Sequence, residues 1–180
     1  MNNFQYYKKL KLTIDKALLQ SQCLTISSVY KAGISSNLSH MIDHFYNFPK
    51  FLFLWIDINN EDKVIESGLI EEINYRITDK IPQDTGFVGI LKGLKSIISQ
   101  NSGIKIVLII ENSQELFASK SYYKSNIKKL LSNLTYSFIC FFLVQEELQD
   151  LNDLKTGLVD LYPYFSSNIL FFQCLVMKIC

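Results

Sequence analysis

Short apolar runs alternate along the chain with longer stretches in which apolar residues recur at helical spacing. The strand-length runs occupy residues 23–27, 51–58, 104–111, 136–144 and 168–172. The helical stripes fall at residues 7–18, 38–45, 65–77, 87–98, 123–134 and 148–161. Strands that alternate with helices of this length indicate a parallel sheet with helices on both faces. The pattern therefore predicts an α/β fold, a three-layer α/β/α sandwich with a five-stranded, mostly parallel sheet.

Length and composition favour a single domain. The chain has 180 residues, of which 48% are apolar, so it can bury a sizeable core and is too apolar to be disordered. We expect one domain over residues 1–180, with an N-terminal helix at 1–20 and an α/β core at 21–175. The longest apolar run, residues 138–144, is too short to cross a bilayer, and residues 1–13 do not resemble a signal peptide. We therefore expect a soluble, intracellular protein without a membrane partner.

The charge balance gives no support for autonomous binding to nucleic acid. Net charge is +1, and Arg76 is the single arginine among the 18 basic residues. Arginine is the side chain best suited to bidentate phosphate recognition, so its scarcity argues against a basic binding face.

No metal site is expected from the cysteines and histidines. The four cysteines, at positions 23, 140, 174 and 180, include no C-x-x-C pair. His40 and His44 lie one helical turn apart, as in zinc sites, but the Glu of H-E-x-x-H is missing. We interpret the two histidines as part of a partly exposed helix face.

Residues 28–35 have the layout of a phosphate-binding loop, since they follow an apolar run and precede an amphipathic helix. In the pattern G-x-x-x-x-G-K-[ST], the lysine reaches the terminal phosphates and the hydroxyl contacts Mg²⁺. Here Ile34 stands where the lysine belongs. The candidate nucleotide-binding residues are Ser28, Lys31, Gly33, Ser35 and Ser36. The loop is a nucleotide site, a disabled one or an ordinary strand–turn–helix. Taken alone, these residues favour the ordinary strand–turn–helix.

Polar residues at two further strand ends complete the candidate site. In phosphate-loop ATPases, one apolar strand ends in a carboxylate that holds the Mg²⁺ shell and is often followed by a general base. Here the pair is Glu111 and Asn112, and an amide cannot act as that base. Gln145 follows the fourth strand, where a polar residue commonly senses the terminal phosphate. Asp57 is expected to be a polar cap at the sheet edge.

The order of these elements resembles the AAA+ ATPase core of the origin recognition complex and its archaeal initiator relatives, and most of all the subunit-four family. The resemblance covers residues 20–175 and includes the Glu61-Asp62-Lys63 segment after the second strand. It also includes "IENSQELF" at 110–117 and the aromatic turn Tyr164-Phe165-Ser166 before the fifth strand. Two positions depart from the family, because Ile34 and Glu111 replace its Lys and Asp.

The resemblance implies a P-loop NTPase (AAA+) like fold and other initiator AAA+ subunits as partners, with DNA contacted only within the assembly. ATP with Mg²⁺ is the expected cofactor if a nucleotide binds. The family's helical lid and winged-helix domain are not found within residues 1–180. Subunit four also lends an arginine to a neighbour's ATP, and residues 145–165 contain none. The expected location is the nucleus in a eukaryote and the cytoplasm otherwise.

Three functions remain open. The first is a non-catalytic structural subunit of an initiator ring, with degenerate nucleotide motifs and no catalytic residue. The second is a switch that binds ATP without hydrolysing it. The third is a P-loop-fold interaction module unrelated to replication, with the leucine stripe at residues 148–161 as a partner surface.

Overall fold

The computed structural model describes residues 3–28, 33–47, 49–58, 86–118, 121–145, 161–166 and 168–172. The helical stripe predicted at 65–77 and most of that at 148–161 lie outside these residues. The helices are α1 (Asn3–Gln20), α2 (Ile34–Phe45), α3 (Phe87–Gln100), α4 (Glu115–Ala118), α5 (Ser121–Asn133) and α6 (Tyr162–Ser166). The strands are β1 (Leu24–Ser28), β2 (Phe51–Asp57), β3 (Lys105–Glu111), β4 (Phe138–Val144) and β5 (Ile169–Phe172).

The five strands form one sheet in the order β2-β3-β4-β1-β5, and every described pair is parallel. All seven residues of β4, the middle strand, are buried. Edge strand β2 instead alternates buried and partly exposed residues. Continuous apolar strands of the kind seen in β4 are typical of parallel sheets with both faces covered.

Helices cover both faces of the sheet, which confirms the predicted three-layer α/β/α sandwich. One apolar cluster, which we call the α1–α2 cluster, joins helices α1 and α2 to one face of the sheet. Its members include Leu10, Ile14, Ile34, Leu38, Met41, Ile109, Phe141 and Leu143. The opposite cluster joins α3, α5 and α6 to the other face and includes Ile90, Leu94, Ile127, Leu130, Leu108, Phe142 and Phe165. Among the described helices, none combines the length and apolarity needed to cross a membrane.

Boundaries differ slightly from the sequence-based ones. The fourth strand begins at Phe138 rather than Tyr136, because Tyr136 has a left-handed backbone (φ 65°) that a strand cannot accommodate. The short helices α4 and α6 were not predicted, since neither is long enough to show an apolar period.

A polar clamp joins α1 to the residue that follows α2. Asp15 accepts hydrogen bonds from the Tyr46 hydroxyl (2.6 Å) and the Lys11 ammonium (2.6 Å). Burial alone would raise the pKa of Asp15, but the hydrogen bonds from Lys11 and Tyr46 and the charge of Lys11 lower it overall. The negative carboxylate is therefore the form that stabilises this contact.

Replacing Asp15 with Asn should destabilise the protein by about 1 kcal/mol at pH 7, because a charge-assisted clamp at a partly exposed site is worth that order. A carboxyl group with a lowered pKa contributes stability above its unfolded pKa of about 4, and the contribution is lost as the pH falls through the folded value. The difference between wild type and Asp15→Asn should therefore shrink below about pH 4 in urea denaturation. If the free energies of unfolding of wild type and Asp15→Asn differ by the same amount from pH 7 to pH 3, the charge of Asp15 does not stabilise the fold.

Candidate functional site

The candidate site lies at the edge of the sheet where the parallel strands end, which we call the carboxyl edge. Strands β1, β2, β3 and β4 end there at Ser28, Asp57, Glu111 and Val144. Ligands of open α/β sheets bind outside this edge. Of the predicted site residues, Lys31 lies outside the described part of the chain, and the other seven can be placed.

Glu111 is the centre of the described site. One of its carboxylate oxygens accepts a hydrogen bond from the Ser35 hydroxyl. The other accepts one from the indole N–H of Trp55, at 2.8 Å. The structure thus joins the end of β3 to the first turn of α2, which is the pairing expected for the hydroxyl and carboxylate of a phosphate loop. Both oxygens are bound to uncharged donors rather than to a cation.

The loop enters α2 through a glycine. Gly33 has a left-handed backbone (φ 71°) in which a side chain would be strained, and it precedes the first helical residue. Gly33 has no side chain to cap the helix, and among the described residues no side chain takes that place, so the first N–H groups of α2 have no described side-chain acceptor. The carbonyl oxygen of Gly33 accepts hydrogen bonds from the backbone N–H and the side-chain amide of Asn37.

Ile34 occupies the lysine position of the phosphate loop, but its side chain is buried (2% exposed) in the α1–α2 cluster. A side chain that packs in the core cannot contact a phosphate. Ser36, two residues later, is exposed and has no role in the hydrogen bonds around Glu111. Position 34, at the start of α2, therefore lacks the lysine charge that a phosphate-binding loop places there.

Ser28 ends β1 with a buried hydroxyl that has no hydrogen-bond partner among the residues that the structure describes. Buried polar atoms in folded proteins are nearly always paired, and an unpaired one usually marks strain or a ligand. The hydroxyl lies at the carboxyl edge, just before the loop that enters α2.

Among the described contacts, none joins the side chains of the remaining predicted residues to the Glu111 carboxylate. Asn112 has a left-handed backbone (φ 55°), and its amide donates to the Asp57 carboxylate at 2.7 Å. Asp57 thus contacts a polar neighbour at the sheet edge. The backbone N–H of Gln145 donates to the side-chain oxygen of Gln114 at 3.3 Å. Among the described contacts, none links the Gln145 side chain to Ser35 or Glu111.

Trp55 is the functional contact that sequence reasoning missed. In the parallel pairing of β2 and β3, Trp55 lies opposite Ile109. Side chains two residues apart on a strand point to the same face, so Trp55 is diagonal to Glu111 on that face. A tryptophan two residues before Asp57, in the second apolar run, was the available signal. Its partner could not be named before the strand order was known.

Replacing Glu111 with Ala should destabilise the protein by about 1–3 kcal/mol, because the Trp55 and Ser35 donors both lose their acceptor in a partly buried site. Urea denaturation measured by circular dichroism gives the size of the loss. Trp55 is the only tryptophan in the chain, so its emission should also shift. Glu115→Ala removes an exposed glutamate four residues away and should cost less than about 1 kcal/mol. Equal decreases in the free energy of unfolding for Glu111→Ala and Glu115→Ala would show that Glu111 does not accept the hydrogen bonds of Trp55 and Ser35.

No protein-family model matches the sequence, and no curated protein sequence matches it either. Solved structures do match. The ORC2 protein of Aeropyrum pernix, in its ADPNP-ADP complexes, superposes with a TM-score of 0.67 at 13% identity over 93% of this chain and 46% of that one. The Cdc6 protein of Pyrobaculum aerophilum gives a TM-score of 0.63 at 12% identity over 95% of this chain and 45% of that one.

A chain of the Drosophila origin recognition complex bound to DNA also matches, with a TM-score of 0.54 at 10% identity over 94% of this chain and 90% of that one. The chain spans slightly less than half the length of the two archaeal proteins. At these identities the likeness concerns the fold. The chain shares the fold of the Cdc6 and origin recognition complex proteins.

Proposed function

We propose that the chain is a non-catalytic AAA+-like subunit of a DNA replication initiator assembly, comparable to subunit four of the origin recognition complex. The observation that carries this proposal is the likeness of more than nine-tenths of the chain to initiator structures from archaea and Drosophila. The matched Drosophila complex and the ORC1 protein of Aeropyrum pernix are bound to DNA. Partners of this chain would be other initiator AAA+ subunits, and DNA would be contacted only within that assembly.

The chemistry of the carboxyl edge supports a structural rather than a catalytic role. Hydrolysis in phosphate-loop ATPases needs a cation on the terminal phosphates, a carboxylate free to hold the Mg²⁺ shell and a group that positions water. Here the buried Ile34 supplies no cation at the lysine position, and Asn112, whose amide donates to Asp57, cannot act as a general base. In a ring, neighbouring subunits would supply the chemistry that this chain lacks.

An ATP hydrolysis assay on the purified chain tests the catalytic half of the proposal. Phosphate release in saturating Mg-ATP should equal that of buffer alone, and Glu111→Gln should leave it unchanged. Hydrolysis above background that Glu111→Gln abolishes would overturn the proposal, because it would make Glu111 a working Mg²⁺ ligand or base.

A second candidate function is a switch that binds a nucleotide without hydrolysing it. The observation in its favour is the unpaired, buried hydroxyl of Ser28, beside a loop that leads to the uncapped N-terminus of α2. A helix N-terminus attracts phosphate through its free N–H groups and its dipole. The Ser28 hydroxyl would add one donor, and Glu111 with Ser35 would reach a Mg²⁺ ion if the ion displaced Trp55.

Calorimetry with Mg-ATP and Mg-ADP separates the two candidates. The switch predicts measurable heat, a change in Trp55 emission and weaker binding in Ser28→Ala. The structural subunit predicts no heat and unchanged emission. Ser36→Ala is the control for Ser28→Ala, because it removes an exposed hydroxyl from the first turn of α2.

A further inference from the structure

Two imidazole rings meet on the outer face of α2, away from the carboxyl edge. His40 and His44 are both exposed, and they lie four residues apart on the helix. Residues at this spacing share one helix face. The two ring centroids are 4.3 Å apart, and the ring planes meet at 86°. The side chains are therefore already turned toward one another.

Neighbouring aromatic rings border this pair. The Tyr7 ring of α1 lies 6.5 Å from His40 and 6.5 Å from Phe45, and Phe45 lies 6.3 Å from His44. Rings on two sides restrict the rotamers that the histidines can adopt, which lowers the entropy lost when both are fixed by one ligand.

The positive charge beside the Phe45 ring already has a partner. The Lys11 ammonium lies 4.9 Å from the centre of the Phe45 ring and forms an ion pair with Asp15 at 2.6 Å. The paired carboxylate offsets the lysine charge, so the repulsion that a cation would meet beside His40 and His44 is reduced.

We propose that His40 and His44 form a two-ligand site for a divalent transition-metal ion of the class that imidazole prefers, namely Ni²⁺, Cu²⁺ or Zn²⁺. Two nitrogens that each lie about 2.1 Å from one ion can be at most about 4.2 Å apart. The ring centroids are 4.3 Å apart, which places both imidazoles within reach of one ion once side-chain rotation turns a nitrogen of each ring toward it.

The site is open. Among the described residues, no group of three or more His, Cys, Asp and Glu side chains surrounds a common point. Water therefore fills the remaining coordination positions. The inference does not depend on the proposed initiator role, because it uses neither Ser35 nor Glu111.

Calorimetry with Ni²⁺ on the untagged full chain tests the site. Wild type should bind one Ni²⁺ through this pair. His40→Gln and His44→Gln should each weaken the binding by about tenfold or more. Each variant keeps one imidazole, so the bound ion no longer meets a second ligand at high effective concentration. Ni²⁺ should also raise the unfolding temperature of wild type and should not raise that of either variant.

A register control keeps the number of histidines constant. The double variant Ser39→His/His40→Gln places its histidines five residues apart, on different helix faces, and should bind Ni²⁺ as weakly as His40→Gln. Tight binding by this control, or wild-type affinity in His40→Gln, would overturn the proposal. Circular dichroism without metal should show every variant folded, because all three substituted positions (39, 40 and 44) are exposed.

Discussion

Replacing Phe141 with alanine should reduce the free energy of unfolding by about 3–5 kcal/mol, which is the range measured for fully buried aromatic residues. Phe141 is 0% exposed and lies on β4, the middle strand of the sheet. It is paired with Leu24 of β1 on one side and Ile109 of β3 on the other. The truncation leaves a cavity that helices on one face and strands on both sides cannot fill.

Phe171→Ala is the matched control for this substitution. Phe171 lies on edge strand β5 and is 59% exposed, so its loss should cost less than about 1 kcal/mol. Urea denaturation monitored by circular dichroism measures both variants. Similar losses for Phe141→Ala and Phe171→Ala would contradict the strand order, because that order places one at the centre and the other at the edge.

Ile34→Lys should abolish cooperative folding or reduce stability by at least about 3 kcal/mol, rather than restore a nucleotide site. The substitution installs the lysine that the phosphate-loop pattern requires. In this structure, however, the side chain of residue 34 packs in the α1–α2 cluster, where the variant would lose apolar contacts and bury an ammonium group. Thermal denaturation and calorimetry with Mg-ATP measure the two consequences.

Ser36→Lys provides the comparison for the added charge. Residue 36 is exposed on the same helix, so the only expected cost is that of a cation in the first turn, about 0.3–1 kcal/mol. If Ile34→Lys instead keeps wild-type stability and gains ATP binding, then residue 34 faces the phosphate site and the loop is not disabled by its packing.

The layer structure was predictable from the sequence because apolar runs and helical stripes report burial directly. The run at residues 138–144 is apolar throughout, and all seven of its residues are buried in the middle strand. Strand order was not predictable in this way, since each strand is compatible with several neighbours. The contact between Trp55 and Glu111 depends on that order, because it exists only when β2 lies beside β3.

The candidate site was partly predictable, because the apolar pattern also locates the starts of helices and the ends of strands. Ser35 and Glu111 were candidates from their positions at a helix start and a strand end, and the structure joins them by a hydrogen bond. Gln145 was a candidate on equal grounds, yet its described contact runs through the backbone to Gln114. Position at a strand end places a residue at the carboxyl edge, but the side-chain direction depends on loops that no periodicity describes.

The central claim is that this chain packs among other subunits of a replication initiator. The most direct measurement is affinity purification of the tagged chain from its own cells, with mass spectrometry of the proteins recovered. Other AAA+ initiator subunits should be recovered in amounts comparable to that of the tagged chain. Recovery of unrelated partners, or of the tagged chain alone, would contradict the central claim and leave a P-loop-fold protein with no tie to replication.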